Sequence, residues 1–487
     1  MMKPRPPVVA ILGHVDHGKT TLLDFIRSSR IAAKEHGGIT QKIGGYTAKT
    51  AIKGYPVDAI TFIDTPGHEA FSQLRARGAT VADIVLLMID AKDSLMPQTI
   101  ESISHIKEAK VPCIVVLNKM DLPEAKPEKV KNDLLRHGVM VEGKGGDVPV
   151  VPISAKTGKG VSDLLENILF IATDKKLEYD PEAELEAYVI ETKKDKRGVA
   201  VSVIVKNGTL HTGDIVFAGG VKGKIKSIMD DVGTQMKEAI PSQACELLGF
   251  ETAPIVGSII TPHDGDQIKA EPAQKEGPEQ KEFSAQTFFA VPEKEQKKLA
   301  IIVKADSQGS LEALDAILSE NINIEIVMKA VGEIYKSDIF LAKASKAIVI
   351  GFNAKVDQET KDVAKQEKVI IKQYSIIYEL IEELEEVALL LQEKELQEKN
   401  LKGEAKILAT FVIEGEKVFG SKLSKGKFEL GDMLEIHRGE NIIGKSKIVS
   451  LKIRAKKVEE VKKEQECGII LSPALDIRVG DVVKCIL

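Results

Sequence analysis

An apolar run from Val8 to Leu12 leads directly into residues 13–20, which read GHVDHGKT. This segment fits the pattern G-x-x-x-x-G-K-[ST] of a phosphate-binding loop, which needs a strand before it and a helix after it. Glycine lets the backbone turn so that its N–H groups point at phosphate oxygens, and the helix N-terminus favours the same negative charge. We expect Lys19 to contact phosphate and the Thr20 hydroxyl to bind Mg²⁺. Taken alone, the same residues also fit a glycine-rich surface turn.

Two further segments are placed to sense the third phosphate. Asp64 ends the apolar run 59–63, where its carboxylate can hold Mg²⁺ through water, and the N–H of Gly67 can contact a γ-phosphate. Thr40 lies in the sequence GGIT, in a predicted loop between the first helix and the second strand. Its hydroxyl can reach Mg²⁺ only when the γ-phosphate is present, so this loop is expected to switch with the nucleotide.

The base is expected to be selected by two segments of the same strand–helix alternation. Residues 118–121 (NKMD) follow the apolar run 113–117, and residues 154–156 (SAK) follow another. Asp121 can accept hydrogen bonds from N1–H and the 2-amino group of guanine, a donor pair that adenine lacks. The SAK segment would pack on the base. Five segments in this order outweigh the surface-turn interpretation and predict a GTPase domain.

Changes of pattern along the chain predict a multidomain protein of the α/β plus β class. Its 487 residues are too many for one core, and three to five domains are expected. Strands and helices alternate first, short strands with glycine turns follow, and both patterns then recur. The predicted order is a P-loop GTPase domain (1–178), a β-barrel (179–268), a linker rich in Glu, Gln, Lys and Pro (269–296), a small α/β domain (297–375), a long connector helix (376–402) and a C-terminal β-barrel (403–487).

A repeated turn links the two predicted barrels. Residues 205–216 align with residues 423–434, and both place an apolar residue three positions before the glycine of a Gly-Asp pair. Gly-Asp turns are common in β proteins, but the shared register favours a second, related barrel.

The connector helix is predicted from apolar residues at three- and four-residue spacing between Ile376 and Leu391, with glutamates on the other faces. The narrow apolar stripe fits a helix that bridges two domains, and the alternative is a helix packed inside its own domain. We expect Gly403 to end it.

The amino-acid sequences of these segments resemble those of the translational GTPases. The resemblance rests on GHVDHGKTT, DTPGH and NKMD. It implies that His68 orients the attacking water, that Val15 and Ile39 form an apolar gate in front of it, and that Asp16 helps to hold a monovalent cation. The implied contacts with GTP or GDP and Mg²⁺ are Asp16, His17, Gly18, Lys19, Thr20, Thr21, Thr40, Asp64, Gly67, Asn118, Lys119, Asp121, Ser154, Ala155 and Lys156, with Thr20, Thr40 and, through water, Asp64 as the metal-binding set.

Within that class the chain most resembles the bacterial translation initiation factor 2 family, in a short form without the variable N-terminal extension. The resemblance rests on GITQKIG (38–44), MPQT (96–99), KADSQGSLEA (304–313) and ECGI (466–469). It implies GTP-dependent recruitment of initiator formylmethionyl-tRNA to the small ribosomal subunit, joining of the large subunit, and contact with other initiation factors. The implied tRNA site contains Lys452, Arg454, Glu466, Cys467 and Gly468.

Two departures from the family pattern bear on formyl recognition. Ser421 stands where the family tends to have a second cysteine, and residues 453–455 replace part of a basic and aromatic run. Basic residues remain in this stretch. They can face RNA, or they can belong to a solvent-exposed pair of strands. Two other functions stay open: delivery of a special elongator tRNA, and a ribosome-docking GTP switch without formyl selectivity.

Composition adds bounds on location and partners. The net charge of −5 means that RNA contact needs local basic patches. No apolar run is long enough to span a membrane, and residues 1–7 lack the apolar core of a secretory signal. The four cysteines lie far apart, which argues against a zinc site or a disulfide framework and fits a reducing compartment. We expect a cytoplasmic monomer without membrane contact.

Overall fold

The computed structural model describes residues 2–27, 43–264, 298–413, 416–439, 441–454, 456–473 and 475–486, with backbone only at 393–399 and 413. The predicted linker, Ile39 and Thr40 therefore lie outside the described residues. The described elements form the predicted fold class: a P-loop GTPase sheet, two antiparallel barrels, a small α/β layer and a long helix.

The first sheet carries the predicted phosphate-binding loop. Its strand order is β3-β4-β2-β5-β6-β7, and all neighbours are parallel except β3 and β4. Strands β2 and β5 are buried along their whole length, as the apolar runs predict. The elements are β1 (Lys3–Pro4), β2 (Val8–Gly13), α1 (Lys19–Arg27), β3 (Gly44–Lys49), β4 (Ala59–Asp64), α2 (Ser72–Val81), β5 (Ile84–Asp90), α3 (Pro97–Ala109), β6 (Cys113–Asn118), α4 (Pro127–Arg136), β7 (Val150–Pro152), α5 (Val161–Asp174) and β8 (Glu178–Tyr179).

The second sheet closes into a barrel. Its order is β12-β17-β9-β10-β16-β13-β14, and the pairing of β12 with β13 closes the ring around an apolar core. The strands are β9 (Glu186–Asp195), β10 (Gly198–Asn207), β11 (Leu210–His211), β12 (Ile215–Ala218), β13 (Val221–Met229), β14 (Gln235–Met236), β15 (Glu238–Ala239), β16 (Ala244–Phe250) and β17 (Ile259–Thr261).

A small α/β layer follows, in the strand order β19-β18-β20-β21. Strands β18, β20 and β21 are parallel, as the predicted alternation requires. The elements are β18 (Leu299–Ala305), α6 (Gln308–Glu320), β19 (Ile324–Val331), α7 (Lys336–Ser345), β20 (Ile348–Phe352), α8 (Gln358–Glu367) and β21 (Ile371–Tyr374).

The C-terminal strands form a second barrel. Its order is β22-β29-β24-β25-β28-β23-β27, and β22 pairs with β23 to close it. The strands are β22 (Leu401–Ile413), β23 (Glu416–Glu429), β24 (Met433–Arg438), β25 (Asn441–Ile453), β26 (Lys456–Lys457), β27 (Glu460–Lys462), β28 (Glu466–Ser472) and β29 (Val482–Ile486).

The predicted repeat between the barrels is present in atomic detail. In the first barrel the Asp214 carboxylate accepts a hydrogen bond of 2.7 Å from the His211 N–H. In the second barrel the Asp432 carboxylate accepts one of 2.8 Å from the N–H of Glu429, at the same position. The preceding apolar side chains of the pattern, Leu210 and Phe428, are fully buried in their own barrels. The same hydrogen-bonded turn therefore occurs in both barrels.

The long helix α9 (Ile377–Lys399) is present, but its predicted end at Gly403 is wrong. Strand β22 begins at Leu401, and Gly403 lies inside it, paired with Gly426 and Cys485. A Cβ on Gly403 would lie 2.5 Å from a backbone oxygen of the adjacent strand. The glycine is thus present because two strands come close together, a reason that a single-sequence pattern does not reveal.

The chain divides into two compact units, and one boundary falls inside α9, between Glu383 and Leu384. The connector role of this helix and the individual domain boundaries stay predictions. No helix among the described residues is long and apolar enough to cross a membrane.

Glu191 joins the first barrel to the third domain within the first unit. Its buried carboxylate accepts hydrogen bonds from the N–H of Thr192 (2.9 Å) and from the N–H of Gly309 (3.1 Å) at the start of α6. A Cβ on Gly309 would lie 2.7 Å from both this carboxylate and the side chain of Leu74 on α2. The KADSQGS segment therefore has a glycine at the point where three domains meet, and Ser307 caps the helix there.

Burial raises the pKa of Glu191, although the hydrogen bonds oppose this shift. The folded state therefore binds a proton more tightly than the unfolded state, and stability falls as pH rises from the unfolded pKa of Glu191 through its folded pKa. We predict that Glu191→Gln removes this part of the pH dependence, because the amide oxygen still accepts the two hydrogen bonds. Glu191→Ala should lose about 1–3 kcal/mol at pH 7 because two buried N–H groups lose their acceptor.

Melting temperatures of the full chain and both variants between pH 5 and pH 8 test this. A Gln variant with the same pH slope as the parent chain would contradict the assignment of the slope to Glu191.

Candidate nucleotide-binding site

The phosphate-binding loop connects β2 and α1 through a backbone that only glycine adopts easily. Gly13 and Gly18 have φ values of +142° and +86°. A Cβ on Gly13 would lie 2.4 Å from the carbonyl oxygen of Met88 on β5. The two glycines of the pattern are therefore needed for the path of this loop, which is independent support for its identification.

Lys19 points into the loop. Its Nζ donates hydrogen bonds to the carbonyl oxygens of Gly13 (2.9 Å) and His14 (2.7 Å), and the side chain is buried. Burial lowers the pKa of Lys19, and the nearby carboxylates of Asp64 and Asp16 oppose that shift. An ammonium in this position can exchange carbonyl partners for phosphate oxygens, as the pattern predicts.

The side chain of Asn118 joins three of the predicted segments. Its Nδ2 donates to the carbonyl oxygen of His17 (2.9 Å), and its Oδ1 accepts from the N–H of Ala155 (2.9 Å). The amide is almost completely buried, and a Cβ on Gly18 would lie 2.5 Å from its nitrogen. Asn118, the first residue of the N-K-x-D segment, thus holds the phosphate loop and the SAK segment in place. The sequence alone does not indicate this structural role.

A cavity of about 320 Å³ lies where these segments meet. All but one of its lining residues belong to the predicted nucleotide contacts, and Leu122 is the residue that sequence reasoning missed. They are Gly18, Thr21, Asn118, Lys119, Asp121, Leu122, Ala155 and Lys156. Two larger cavities of about 400 and 420 Å³ contain none of the predicted contacts among their described linings.

Two of the residues that would select the base line this cavity, and each makes a polar contact with a neighbouring side chain. Lys119 pairs with the buried carboxylate of Asp90 at 2.7 Å. Asp121 is exposed, and a hydrogen bond from the Ser154 hydroxyl lowers the pKa of its carboxyl. Asp121 is therefore ionised and acts only as an acceptor near neutral pH, as recognition of two guanine donors requires.

His17 contributes through its backbone. Its ring is fully buried, with Nδ1 3.1 Å from the Met88 carbonyl oxygen, and burial lowers its pKa to about 4. The ring is thus neutral at pH 7, and His17 does not belong to the residues that line the cavity. Asp16 lies exposed on the phosphate loop beside the half-buried Val15.

Oxygen donors suited to Mg²⁺ lie at the start of one element and at the end of another. Thr20 lies in the first turn of α1, and Asp64 ends β4, close enough to Lys19 to affect its pKa. A hydroxyl and a carboxylate are the ligand types that Mg²⁺ prefers in nucleotide sites. The two residues fit the predicted metal role, and the third, Thr40, lies outside the described residues.

The segment after Asp64 lies directly on the phosphate loop. A Cβ on Gly67 would lie 2.5 Å from Lys19 Nζ and 2.7 Å from the Cα of Val15. This close approach explains why glycine stands at the position predicted to contact a γ-phosphate. It also brings the next residue, His68, beside the predicted reaction centre.

His68 is buried and caps a short 3-10 helix, Glu69–Phe71. Its Nδ1 accepts a hydrogen bond of 3.0 Å from the N–H of Ala70, so the neutral ring carries its proton on Nε2. Burial lowers the pKa of His68, and the charge of Arg75 adds to this effect. A neutral ring in this tautomer can position a water molecule by donating a hydrogen bond from Nε2.

Arg75 is a residue that the sequence analysis missed. It is fully buried, donates to the carbonyl oxygens of Pro66 and His68, and pairs with the Glu101 carboxylate at 2.7 Å. Burial raises the pKa of Glu101, but hydrogen bonds from His105 and Ser72 and the charge of Arg75 outweigh it and lower the pKa to about 2. Arg75 therefore fixes the path of the segment that carries His68.

The predicted tRNA residues come together on the C-terminal barrel. Cys467 lies opposite Ser421, and Gly468 lies between Gly420 and Lys452 on neighbouring strands. Cys467 is buried in the barrel core, with Sγ 3.3 Å from the Ser421 hydroxyl, and burial raises its pKa. The exposed predicted side chains are those of Glu466 and Arg454.

Three family models match in order: the elongation factor Tu GTP binding domain at residues 5–174, elongation factor G domain 2 at 184–262, and translation-initiation factor 2 at 273–385. A crystal structure of GDP-bound aIF5B from Aeropyrum pernix is similar at 26% identity, with a TM-score of 0.46, over 99% of this chain and 92% of that one. The fold and the site define a GTPase of the translational class, which binds guanine nucleotide and hydrolyses GTP.

Full-length relatives make the assignment more specific. The sequence is 41% identical to translation initiation factor IF-2 of Thermoanaerobacter sp. (strain X514) over 498 residues, covering 99% of this chain and 71% of that protein. Identity to the same factor of Thermus thermophilus is 41% over 502 residues, covering 99% of this chain and 86% of that protein. The chain therefore belongs to the translation initiation factor 2 family.

Replacing Asp121 tests the base-selection prediction. Asp121→Asn should weaken GDP and GTP binding about 10- to 100-fold, because the amide loses the negative charge and replaces one of the two acceptor oxygens with a donor. Xanthosine diphosphate should bind the variant better than GDP, because xanthine has a carbonyl oxygen in place of the 2-amino group and the new amide can donate to it. Dissociation constants for both nucleotides measure this, and unchanged GDP affinity would refute the role of Asp121.

Proposed function

We propose that this chain is an initiation factor that, with GTP bound, brings initiator formylmethionyl-tRNA to the small ribosomal subunit and promotes joining of the large subunit. Ribosome-stimulated GTP hydrolysis then releases it. The proposal rests above all on the cavity where the phosphate loop, Asn118, Asp121 and Ala155 meet. Membership of the initiation factor family supports the choice of initiation over other steps of translation.

In the proposed reaction a water oxygen attacks the γ-phosphorus and the bond to the β-phosphate oxygen breaks, giving GDP and phosphate. Lys19 and the N–H groups of the loop would hold the phosphates, and His68 would orient the water. Thr20, Thr40 and, through water, Asp64 would hold Mg²⁺, which supplies positive charge against the phosphate oxygens when bound. A monovalent cation beside Asp16 would add further charge stabilisation.

The same residues provide a switch. Gly67 lies against Lys19 and Val15, so a γ-phosphate at Lys19 would meet the segment that carries His68. Val15 and Ile39 would form the apolar gate in front of His68. The nucleotide state would thereby control both the surface offered to the ribosome and the position of His68.

The proposed contact with tRNA lies on strands β25, β26 and β28. Lys452 stands directly opposite Lys457 and next to Gly468. Opposed like charges destabilise a sheet, and a polyanion bound across them removes that cost. This arrangement supports the RNA-facing interpretation of the basic residues, whereas Lys445 already pairs with Glu435 at 2.6 Å.

The proposal places the protein in the cytoplasm as a monomer that contacts both ribosomal subunits, initiator tRNA and other initiation factors. Delivery of a special elongator tRNA and a GTP switch without formyl selectivity are the alternatives, and tRNA binding separates them. The match of residues 273–385 to the initiation factor model favours initiation.

His68→Ala tests the catalytic role. GTP affinity should be unchanged, because the side chain acts on water, and ribosome-stimulated turnover should fall at least about 100-fold. His137→Ala, at an exposed histidine after α4, is the matched control and should behave like the parent chain. Undiminished stimulated turnover in His68→Ala would refute the role.

Binding of initiator tRNA tests the proposed partner. With a non-hydrolysable GTP analogue, the protein should prefer formylated over unformylated methionyl-tRNA. Lys452→Ala should weaken binding and lower the slope of log affinity against log salt by about one, because one phosphate contact is lost. Lys445→Ala should have a smaller effect because its charge is already paired. Equal binding of both tRNA forms would remove formyl selectivity, and a preference for an elongator tRNA would favour the first alternative.

A further inference from the structure

The ring of His68 packs at a tilt against a tyrosine from a distant part of the chain. The ring centroids of His68 and Tyr378 lie 4.2 Å apart with a tilt of 49°, and Phe71 contacts the imidazole edge-on at 6.0 Å. Tyr378 is the second residue of α9. Phe71 is the last residue of the short 3-10 helix that His68 caps. The predicted catalytic ring is therefore held from two sides.

The ring nitrogen of His68 that would act on water, Nε2, is shielded from solvent in this position. Nε2 of His68 is buried and makes no hydrogen bond to any described residue, while Nδ1 is occupied by the N–H of Ala70. A buried N–H without a partner is unfavourable, so neighbouring contacts must hold the ring there. Nε2 is not accessible to solvent in this position, so the ring has to move before Nε2 can donate a hydrogen bond to a water molecule.

Tyr378 also lies close to both loops of the reaction centre. Burial raises the pKa of its phenol, and the carboxylates of Glu69 and Asp16 raise it further. Glu69 follows His68 directly, and Asp16 belongs to the phosphate loop. Tyr378 therefore contacts the His68 ring and lies within electrostatic range of a carboxylate on the phosphate loop.

The first turn of α9 is firmly anchored around this tyrosine. Ile377 and Leu380 are fully buried on either side of it. The hydroxyl of Tyr374 donates to Glu383 at 2.8 Å, which ties the preceding strand to the second turn of the helix. The Tyr378 ring can leave His68 by a rotation of its own side chain or by movement of this whole turn.

We propose that Tyr378 is a positioning residue for GTP hydrolysis, which holds His68 in its resting position until the contact between the two rings is broken. This inference rests on the proposed role of His68. His68 and Tyr378 both belong to the first compact unit, so the proposed contact lies within that unit. Tyr378 itself does not touch the reacting atoms.

The test compares ribosome-free GTP turnover at saturating GTP in the full chain. Tyr378→Leu removes the aromatic contact but keeps apolar bulk, and should raise the turnover number about 2- to 10-fold, the change that loss of one aromatic pair produces. The GTP dissociation constant should not change. Tyr378→Phe keeps the ring and should turn over GTP like the parent chain. Ribosome-stimulated turnover of Tyr378→Leu should stay within about two-fold of the parent value, because docking already releases His68.

Tyr335→Leu is the matched control. Tyr335 lies in the third domain and is 46% exposed, similar to the 43% of Tyr378, but it contacts Lys304 and not His68. Its loss should leave the ribosome-free rate unchanged. The double variant Tyr378→Leu with His68→Ala should show no acceleration, because the proposed effect acts only through His68.

Each outcome bears on a separate claim. Unchanged ribosome-free turnover in a folded Tyr378→Leu chain would overturn the role of Tyr378 while leaving the proposed function intact. An equal acceleration in the His68→Ala background would also overturn it. Undiminished stimulated turnover in His68→Ala alone would instead refute the catalytic proposal.

A direct measurement on the unaltered chain covers the case in which Tyr378→Leu does not fold. With GDP bound, labelled histidine and tyrosine rings should show a nuclear Overhauser contact between His68 and Tyr378. Absence of that contact would overturn the proposal.

Discussion

The buried amide of Asn118 is the interaction on which the nucleotide site depends. It connects the phosphate loop, the N-K-x-D strand end and the SAK segment through one donor and one acceptor, both used at 2.9 Å. A buried amide must satisfy both groups, so the positions of His17 and Ala155 are fixed together. The same amide leaves no room for a Cβ at residue 18, which makes Gly18 a packing requirement as well as a conformational one.

Contacts made by a single helix connect the site to the rest of the first unit. Helix α2 follows His68, and its buried Arg75 holds two carbonyl oxygens of the segment before it. Two residues further on, Arg77 pairs with Glu312 on α6 at 2.7 Å. The Gly309 N–H at the start of α6 also donates a hydrogen bond to the Glu191 carboxylate of the first barrel. A shift of α2 would therefore change contacts with both following domains. The third domain is thereby in contact with the part of the site that responds to nucleotide.

Local patterns predicted the elements well, and long-range contacts account for what they missed. The phosphate loop, the parallel sheet and the repeated barrel turn follow from residues close together in the chain, and the structure contains all of them. Gly403 was assigned to a helix end because glycine commonly ends helices, whereas its true constraint is a neighbouring strand. The contact of Tyr378 with His68 joins residues with no shared pattern, so only the folded chain reveals it.

The repeated Gly-Asp turn has a consequence for how the chain acquires its structure. In each barrel the aspartate closes a hydrogen bond to a residue only three positions earlier, so little chain entropy is lost when it forms. Contacts of such short range are expected to form early, ahead of the strand pairings between distant segments. Each barrel therefore contains a turn that can form without the other barrel, and the first barrel can begin to order before the second has been synthesised.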